Sequence, residues 1–246
     1  MEDEFGDWRI SAVGTIKEDI PAAYAGGPSH KAGTPIYQST LVQTEDKQNI
    51  GFTLPSSTAM ALNIAINAAK SAKDFKSRIA YGKVATPQGS GLAVNHDSDE
   101  CLFNYFEQCM IAVTFSYQAI EVFCNHTIAR EIKEATEVKR RKKRVILSPL
   151  ELERQLSTEE KISLILPKIK GLPTPKGKRP WEAFKKLKEA RDSTIHMKNI
   201  DQQAVDTESL YFQFLSKDCD IFPQAAIAMI HYFLNGKEPR WLKKLL

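Results

Sequence analysis

The sequence has few cysteines, and none is placed as a disulfide framework or a zinc site would require. Its 246 residues include four cysteines; no two form a CxxC pair, and none has a histidine at zinc-finger spacing. Three of them, Cys101, Cys109 and Cys124, lie in one apolar stretch, where a free thiol behaves as a small hydrophobic side chain. The histidines other than His196 show no ligand spacing either. We therefore expect no metal, no other cofactor and a reducing location in the cytoplasm.

A long, uninterrupted apolar run is also missing. The most apolar stretch, residues 101–123, includes Asn104, Glu107, Gln108, Gln118 and Glu121. That set is too polar for a membrane span. Residues 1–8 are acidic and no apolar leader segment follows them, so we expect no signal peptide and no membrane contact.

A strong excess of one charge is absent as well. The formal net charge is +4 and the isoelectric point is near 8.7, so a nucleic-acid partner would have to be indicated by a local cluster. Glycine-rich phosphate loops, G-x-S-x-G elbows and catalytic Cys/His signatures do not occur. Their absence excludes the common P-loop and α/β-hydrolase classes.

What the sequence has instead is helical periodicity. Apolar residues make up 42% of the chain, enough for a sizeable core. A capping box at Ser157 and Glu160, and a proline at 180, each mark the start of a helix. Together these signals predict helices over residues 56–81, 99–132, 147–156, 157–170, 180–198, 207–216 and 221–234. We therefore predict an all-α helical bundle.

The first 55 residues are less regular. They are rich in Gly, Pro, Ser and Thr, and β-branched and aromatic residues over 34–44 and 49–54 favour a β-hairpin. Residues 82–97 contain several Gly and Pro breakers and are predicted to form a loop. The predicted organisation is an N-terminal extension over 1–55, a helix and loop over 56–97 that join it to the bundle, and a helical domain over 98–246.

The helix predicted over 180–198 carries the candidate chemistry. On a helical wheel Arg191 falls within the apolar stripe that begins at Trp181, where an arginine must be paired or face a polar cavity. His196 lies about 140° around the helix from Arg191, and Asp192 precedes His196 by four residues. At that spacing a carboxylate can fix the histidine tautomer. A fixed cation, a base and a carboxylate can cleave RNA without a metal. Alternatively, Arg191 pairs with a buried glutamate and His196 is a surface residue.

The helix predicted over 99–132 is apolar around most of its circumference but carries one polar stripe. The stripe consists of Thr114, Gln118, Glu121 and Asn125. Buried polar groups need partners, and Glu121 is a candidate partner for Arg191. The stripe is interpreted either as part of a functional site or as a structural seam of buried hydrogen bonds.

Three segments together resemble HEPN domains: LSTEEK at 156–161, PWEAF at 180–184 and LKEARDSTIH at 187–196. The last contains Arg191 and His196 at the R-x4-H spacing, with the polar Asp192 directly after the arginine. IEVFCN at 120–125 is similar to the earlier HEPN helix, which often presents a Glu and an Asn to the site. The resemblance covers about residues 99–198, and residues 1–97 match nothing in the family pattern.

The resemblance implies a helical bundle that dimerises so that two R-x4-H helices meet in one cleft, with metal-independent endoribonuclease activity. The catalytic residues would be Arg191, His196, Asp192, Glu121 and Asn125. Active members commonly serve in toxin–antitoxin, phage-defence and RNA-processing systems. The implied partners are therefore RNA, a second copy of the chain, and an antitoxin or other defence protein. Some toxin members have a tyrosine where this chain has Lys198, so regulation by modification of that tyrosine is not expected.

The densest charge cluster is a run of six basic residues: Lys139, Arg140, Arg141, Lys142, Lys143 and Arg144. With Lys198, these residues are candidates for RNA binding, because phosphate contacts come from Lys and Arg independently of sequence. The run is equally typical of a solvated helix end or loop. A localisation signal is a weaker alternative.

Two functions remain open. The first is a metal-independent endoribonuclease in which the RNA 2′-hydroxyl is the nucleophile. The second is a catalytically silent HEPN-like module for dimerisation, nucleotide binding or partner binding. The presence of Arg191, Asp192 and His196 together favours the first.

Overall fold

The computed structural model describes residues 6–22, 29–87, 89–140, 143–199, 201, 209–236 and 238–245. The chain forms two compact units. The first consists of Met1–Met60 and Lys237–Leu246, and the second is Ala61–Gly236. All of the candidate site residues lie in the second unit.

The first unit is built on two antiparallel strand pairs. Strand β1 (Ala12–Thr15) pairs with β2 (Pro35–Tyr37), and β3 (Ser39–Gln43) pairs with β4 (Asn49–Thr53). The β3–β4 turn places Lys47 at φ 63°, and Thr44 and Gln48 close the turn through a backbone hydrogen bond. The hairpin predicted in this region is thereby confirmed, whereas the first strand pair was not predicted.

The helices of the described chain follow in order. They are α1 (Ser57–Ser77), α2 (Asp99–Glu131), α3 (Pro149–Gln155), α4 (Thr158–Glu160), α5 (Leu166–Lys170), α6 (Arg179–Ile195), α7 (Leu210–Ser216), α8 (Ile221–Leu234) and α9 (Arg240–Leu245). A π-helical stretch, Lys161–Ile165, joins α4 to α5. Periodicity located α1 to α8 to within a few residues, but α9, which belongs to the first unit, was not predicted. The start of the helix predicted at 207 lies outside the described residues.

Helix α2 is the central element of the second unit. Its 33 residues bury side chains along the whole length, and it packs against both α6 and α8. Helix α6 buries the stripe Trp181, Phe184, Leu187 and Ala190. Phe184 stacks on Tyr117 of α2 with ring centroids 6.1 Å apart. This aromatic contact sets the position of the C-terminal half of α6, where the candidate site lies.

The prediction of an all-α chain is wrong. Helices account for 56% of the structure and strands for 19%, in four small antiparallel two-stranded sheets among the described residues. Strands β5 (Tyr81–Thr86) and β6 (Gly89–Val94) occupy the segment predicted as a loop. Gly89 has φ 127°, a conformation that glycine adopts without strain, and this allows the chain to reverse there.

Residues 139, 140, 143 and 144 of the basic run lie in a pair of strands, and not in the solvated helix end or loop that was one of the open interpretations. Strand β7 (Thr136–Arg140) pairs with β8 (Lys143–Leu147). Val138 is directly opposite Val145, and Val138 and Leu147 are buried, which anchors the base of this ribbon. Because β-branched residues favour strands, Val138, Val145 and Ile146 could have predicted these two strands.

The π-helical stretch before α5 has a local cause. Pro167 has no backbone N–H, and a proline ring clashes with the carbonyl four residues before it, which in this chain belongs to Ser163. The backbone widens there, and the Leu166 N–H bonds to the Lys161 carbonyl, five residues back. Among the described residues, none of the helices combines the length and apolar character that a membrane span requires.

The capping box at the start of α4 gives a direct stability test. The Ser157 backbone N–H donates to the Glu160 carboxylate at 2.9 Å, and the Glu160 N–H donates to the Ser157 hydroxyl at 3.2 Å. Ser157→Ala should therefore reduce the free energy of unfolding by about 1 kcal/mol. Urea unfolding followed by circular dichroism measures this, with Ser90→Ala on an exposed strand as the control. An unchanged urea midpoint for Ser157→Ala would contradict the expectation.

Candidate functional site

Arg191 lies in the last turns of α6 and is stacked on the face of Tyr117 from α2. Its guanidinium carbon lies 4.0 Å from the Tyr117 ring centroid, and its side chain is 22% exposed. One guanidinium nitrogen is 3.1 Å from the Asp192 carboxylate, whereas the buried Nε has no hydrogen-bond partner within the described structure. The stacking holds the planar cation in one orientation, with its Nε–H buried and its side chain open to solvent only in part.

The proposed pairing of Arg191 with Glu121 is not observed. Among the described residues no ion pair joins these two side chains, and Arg191 contacts Asp192 and Tyr117 instead. Arg191 packs on the aromatic face of Tyr117, whereas we had expected it to contact a buried carboxylate. Glu121 is partly buried one helical turn after Tyr117 on α2. It is thus near the site but not part of the Arg191 contact.

His196 lies just beyond the last helical residue of α6. Its backbone has φ −118° and ψ 55°, its N–H donates to the Asp192 carbonyl at 3.0 Å, and its side chain is exposed. The Asp192 carboxylate is bound instead by Lys188, at 3.2 Å, and by Arg191. Within the described residues, no hydrogen bond or ion pair joins the Asp192 and His196 side chains. The predicted carboxylate–imidazole contact is therefore wrong for this conformation.

A pocket of about 370 Å³ lies at this end of α6. It is lined by Asp192, Ser193, His196 and Lys198. The structure thus brings together three of the predicted site residues, Asp192, His196 and Lys198. An imidazole, an ammonium group and a carboxylate that is already paired with cations line one open cavity, which suits an anionic ligand.

Asp201 holds the segment that follows α6, and sequence reasoning missed it. Its buried carboxylate accepts from the Lys198 N–H at 2.8 Å and from the Leu210 N–H at 2.9 Å. These two bonds tie the backbone next to the pocket to the start of α7. Asp201 follows Lys198 by three residues, the spacing at which a carboxylate reaches back to a backbone N–H in a capping box, so this spacing could have indicated the role.

Asn125 is engaged in a structural bond. Its Oδ1 accepts from the Lys161 Nζ at 2.7 Å, and the same Nζ donates to the Glu153 carbonyl at 2.7 Å. Lys161 is only 1% exposed and lies in the π-helical stretch. At Asn125 the polar stripe of α2 therefore forms the buried hydrogen-bond seam that the sequence analysis had kept as an alternative. Lys161 itself was missed, because lysine in a capping-box helix is usually solvated.

Other nucleophile and metal chemistries have little support. Burial raises the pKa of the Cys124 thiol to about 12, so no reactive thiolate forms there near neutral pH. In the part of the chain that the structure describes, no group of three or more His, Cys, Asp or Glu side chains is placed to hold a metal ion.

The described residues of the basic run lie on the β7–β8 ribbon, and none of them is among the residues that line the pocket. The side chains of Lys139, Lys143 and Arg144 are exposed, and Arg144 is 3.4 Å from the Glu137 carboxylate. Residues 141 and 142 lie outside the described residues, and the Arg140 side chain is likewise not described. The structure therefore brings together Lys198 and His196, but not Lys198 and the basic run.

No family model, curated protein or solved structure matches this chain. The likeness to HEPN domains consequently stays an inference from the quoted motifs. The geometry at the end of α6 is the remaining support for a function.

Proposed function

We propose that this protein is a metal-independent endoribonuclease of the HEPN type, with its active site at the C-terminal end of α6. The supporting observation is the pocket lined by both His196 and Lys198, at the end of the helix whose Arg191 is stacked against Tyr117. A titratable base and preorganised cations are the groups that RNA cleavage without metal requires.

In the proposed reaction, the His196 imidazole removes the proton of the RNA 2′-hydroxyl. The 2′-oxygen attacks the adjacent phosphorus, and the bond from phosphorus to the 5′-oxygen of the next nucleotide breaks. The imidazolium formed at His196 then gives its proton to that 5′-oxygen, so the products are a 2′,3′-cyclic phosphate and a 5′-hydroxyl end, and the imidazole is neutral again. Lys198 and Arg191 stabilise the negative charge that builds up on the phosphate oxygens.

The placement of Arg191 fits this role. Its side chain is 22% exposed, so part of the guanidinium can meet a phosphate oxygen from solvent, although the Nε–H itself is buried. The stack on Tyr117 means that little conformational entropy is lost when the phosphate binds. Arg191 thus has the features of a preorganised phosphate contact.

A second copy of the chain would complete the site. Arg191 does not line the pocket that holds His196 and Lys198, so one chain offers the cation and the base on different faces of α6. We propose a homodimer or a higher even oligomer in which two α6 helices meet, since isologous contacts are the commonest way to join two such faces.

From the resemblance to HEPN domains we also propose a defence or toxin role in the cytoplasm, with an antitoxin-like partner. The four unbridged cysteines fit that compartment.

One observation favours the alternative of a catalytically silent module. Asp192 is held by Lys188 and Arg191, so it does not orient the His196 ring. A silent module would serve in dimerisation, nucleotide binding or partner binding and would not cleave RNA. Cleavage by the purified chain therefore discriminates between the two candidates.

The test is RNA cleavage in the presence of an excess of EDTA over divalent ions, which removes the metal that a metal-dependent ribonuclease requires. We expect undiminished cleavage, with 2′,3′-cyclic phosphate ends detected by mass spectrometry of the products. An RNA carrying a single 2′-deoxy substitution at the cleavage position should resist cleavage at that position only. Products with a 3′-hydroxyl, or loss of activity in EDTA that Mg²⁺ restores, would contradict this mechanism.

A further inference from the structure

The hairpin of β3 and β4, in the first unit, has no charged residue on either strand. The five positions of each strand carry uncharged side chains, and the charged residues lie in the turn, over residues 45–47. Leu41 on β3 is 67% exposed. Three further apolar side chains of the hairpin are exposed: Val42, Ile50 and Phe52. A two-stranded hairpin is marginally stable in water unless a helix or further strands pack with it.

The other three hairpins among the described residues each carry a feature that opposes pairing with a further strand. β2 has three residues and begins at Pro35, and its register with β1 is irregular. β5 carries Lys83, and β7 and β8 are rich in Lys and Arg. Short strands, proline, bulges and charged side chains are the usual means by which sheet edges avoid another chain. The β3–β4 hairpin has none of them.

The backbone of β3 has an unpaired outer edge. At the turn, the Thr44 N–H donates to the Gln48 carbonyl. Opposite residues of an antiparallel pair alternate between bonded and non-bonded, so every second residue from Thr44 back along β3 bonds to β4. The residues between them direct their N–H and C=O groups to the outer edge: Ser39, Leu41 and Gln43. In the described part of the chain, no other segment bonds to these backbone groups.

The outer edge of β4 is a poorer place for a further strand. The central residue of β4 is Gly51, which offers no side chain for packing. Just beyond the end of β4, Pro55 forms a bridge with Ile10, so another segment of the same unit already lies beside the chain there. On β3, by contrast, the central residue is the exposed Leu41.

From these observations we infer that β3 pairs with β3 of a second copy of the chain, antiparallel about a twofold axis at Leu41. This register uses all five residues of β3 and places Leu41 opposite its own copy. None of the flanking pairs brings like charges together, which would destabilise the contact. Those pairs are Thr40 with Val42 and Ser39 with Gln43. The strand is therefore complementary to itself, as an isologous contact requires.

The pairing turns two hairpins into one four-stranded sheet. Neighbouring residues of a strand point to opposite faces, so the two Leu41 side chains meet on one face. On the other face, an uncharged row crosses all four strands: Phe52, Thr40, and then Val42 and Ile50 of the second copy. A sheet of three or more strands with an apolar face reaches independent stability, which the hairpin alone lacks.

This contact goes beyond the proposed ribonuclease and does not depend on it. It lies in the first unit, whereas the α6 contact proposed above lies in the second. A chain that makes both isologous contacts assembles into tetramers or longer even assemblies, and a chain that makes only the β3 contact forms dimers. In either case, loss of the β3 contact lowers the mass of the assembly to half or less.

The test is charge exchange at position 41, with the mass measured by analytical ultracentrifugation over a range of protein concentrations. Leu41→Lys and Leu41→Glu each place like charges opposite one another, so each variant alone should have half the wild-type mass or less. An equimolar mixture of the two puts opposite charges face to face and should restore the wild-type mass. Leu92→Lys is the matched control, because Leu92 is 69% exposed on β6, and it should keep the wild-type mass.

A cysteine at position 41 tests the register without adding a charge. Bonded opposite residues have Cα atoms about 5.5 Å apart, which suits a disulfide. Oxidised glutathione should therefore link two copies of Leu41→Cys covalently, beyond any background in the wild type. Leu92→Cys should show no such increase.

The inference would be overturned by a wild type that is monomeric at every concentration, or by Leu41→Lys with wild-type mass and wild-type circular dichroism. It would equally be overturned if the two charge variants dissociated but did not reassociate on mixing, because Leu41 would then contact some other surface. A wild type that cleaves no RNA but passes the mixing test would refute the ribonuclease proposal and support the β3 contact.

Discussion

Replacing His196 by alanine is expected to lower the rate of RNA cleavage by about two to four orders of magnitude, the usual contribution of a general base. The side chain is exposed and lies beyond the last turn of α6, so it contributes little packing. The urea midpoint and the oligomeric state should therefore stay unchanged. Single-turnover cleavage of a labelled RNA, at saturating protein, isolates the chemical step from binding.

His96→Ala is the matched control. His96 is also an exposed histidine, and it lies 3.2 Å from the Asp99 carboxylate in a short turn before α2. This substitution should leave cleavage at the wild-type rate. If His196→Ala, free of contaminating nuclease, cleaved as fast as wild type, His196 would not be the base and the enzyme proposal would fail.

The helices could be predicted because their signals are local. The spacing of apolar residues in α2 and α8, and the capping box at Ser157, predict the ends of these helices to within a few residues of their observed positions. The hairpins β5–β6 and β7–β8 were missed because each has short strands and a tip of glycines or charges. In both hairpins the pairing of the strands depends on contacts between residues on opposite strands. The composition of the segment does not show these contacts and by itself indicates a loop.

The site was predicted in part for the same reason. Arg191, His196 and Lys198 were identified from spacing along one helix, but their partners depend on tertiary contacts. Two side chains four residues away in sequence, Lys188 and His196, could bind the Asp192 carboxylate. In the structure Lys188 binds it and His196 does not. His196 is outside the helix, where the rule that residues four apart are neighbours no longer holds.

Contacts between elements were beyond what periodicity could give. The stack of Arg191 on Tyr117 and the bond from Lys161 to Asn125 both join segments that are far apart in sequence. A helical wheel shows that Arg191 needs a partner, but it does not distinguish an aromatic face from a carboxylate. That difference changes what a substitution at Arg191 should do.

Arg191→Ala is expected to lower cleavage by about two to three orders of magnitude, the typical loss when one preorganised charge stabiliser is removed. Its effect on stability should be small. Removing it ends a cation–π contact worth about 0.5–2 kcal/mol and leaves no buried carboxylate unpaired, since Asp192 keeps Lys188. A pairing with Glu121 would have predicted a loss of about 3–5 kcal/mol instead. Urea unfolding separates the two cases.

The control for Arg191→Ala is Arg78→Ala. Arg78 also combines an aromatic contact, 4.7 Å from the Phe75 ring, with an ion pair, 3.0 Å from Asp74, but it lies directly after α1 and does not line the pocket. It should leave cleavage unchanged. In addition, Glu121→Gln should not improve the stability of Arg191→Ala, because no ion pair between those side chains exists to be repaired. A clear rescue by Glu121→Gln would show that the two residues interact in solution.

Mixing the two inactive proteins tests whether one site is shared between copies. If two α6 helices form one cleft, a mixed dimer of Arg191→Ala and His196→Ala retains one arginine and one histidine in that cleft. Cleavage should then reappear on mixing and should fall again on dilution below the dimer dissociation constant, as sedimentation would show. If Arg191 and His196 act within one chain, every chain in the mixture is defective and no activity returns. That result, with dimers exchanging freely, would refute the shared site while leaving Arg191 as the phosphate contact of its own chain.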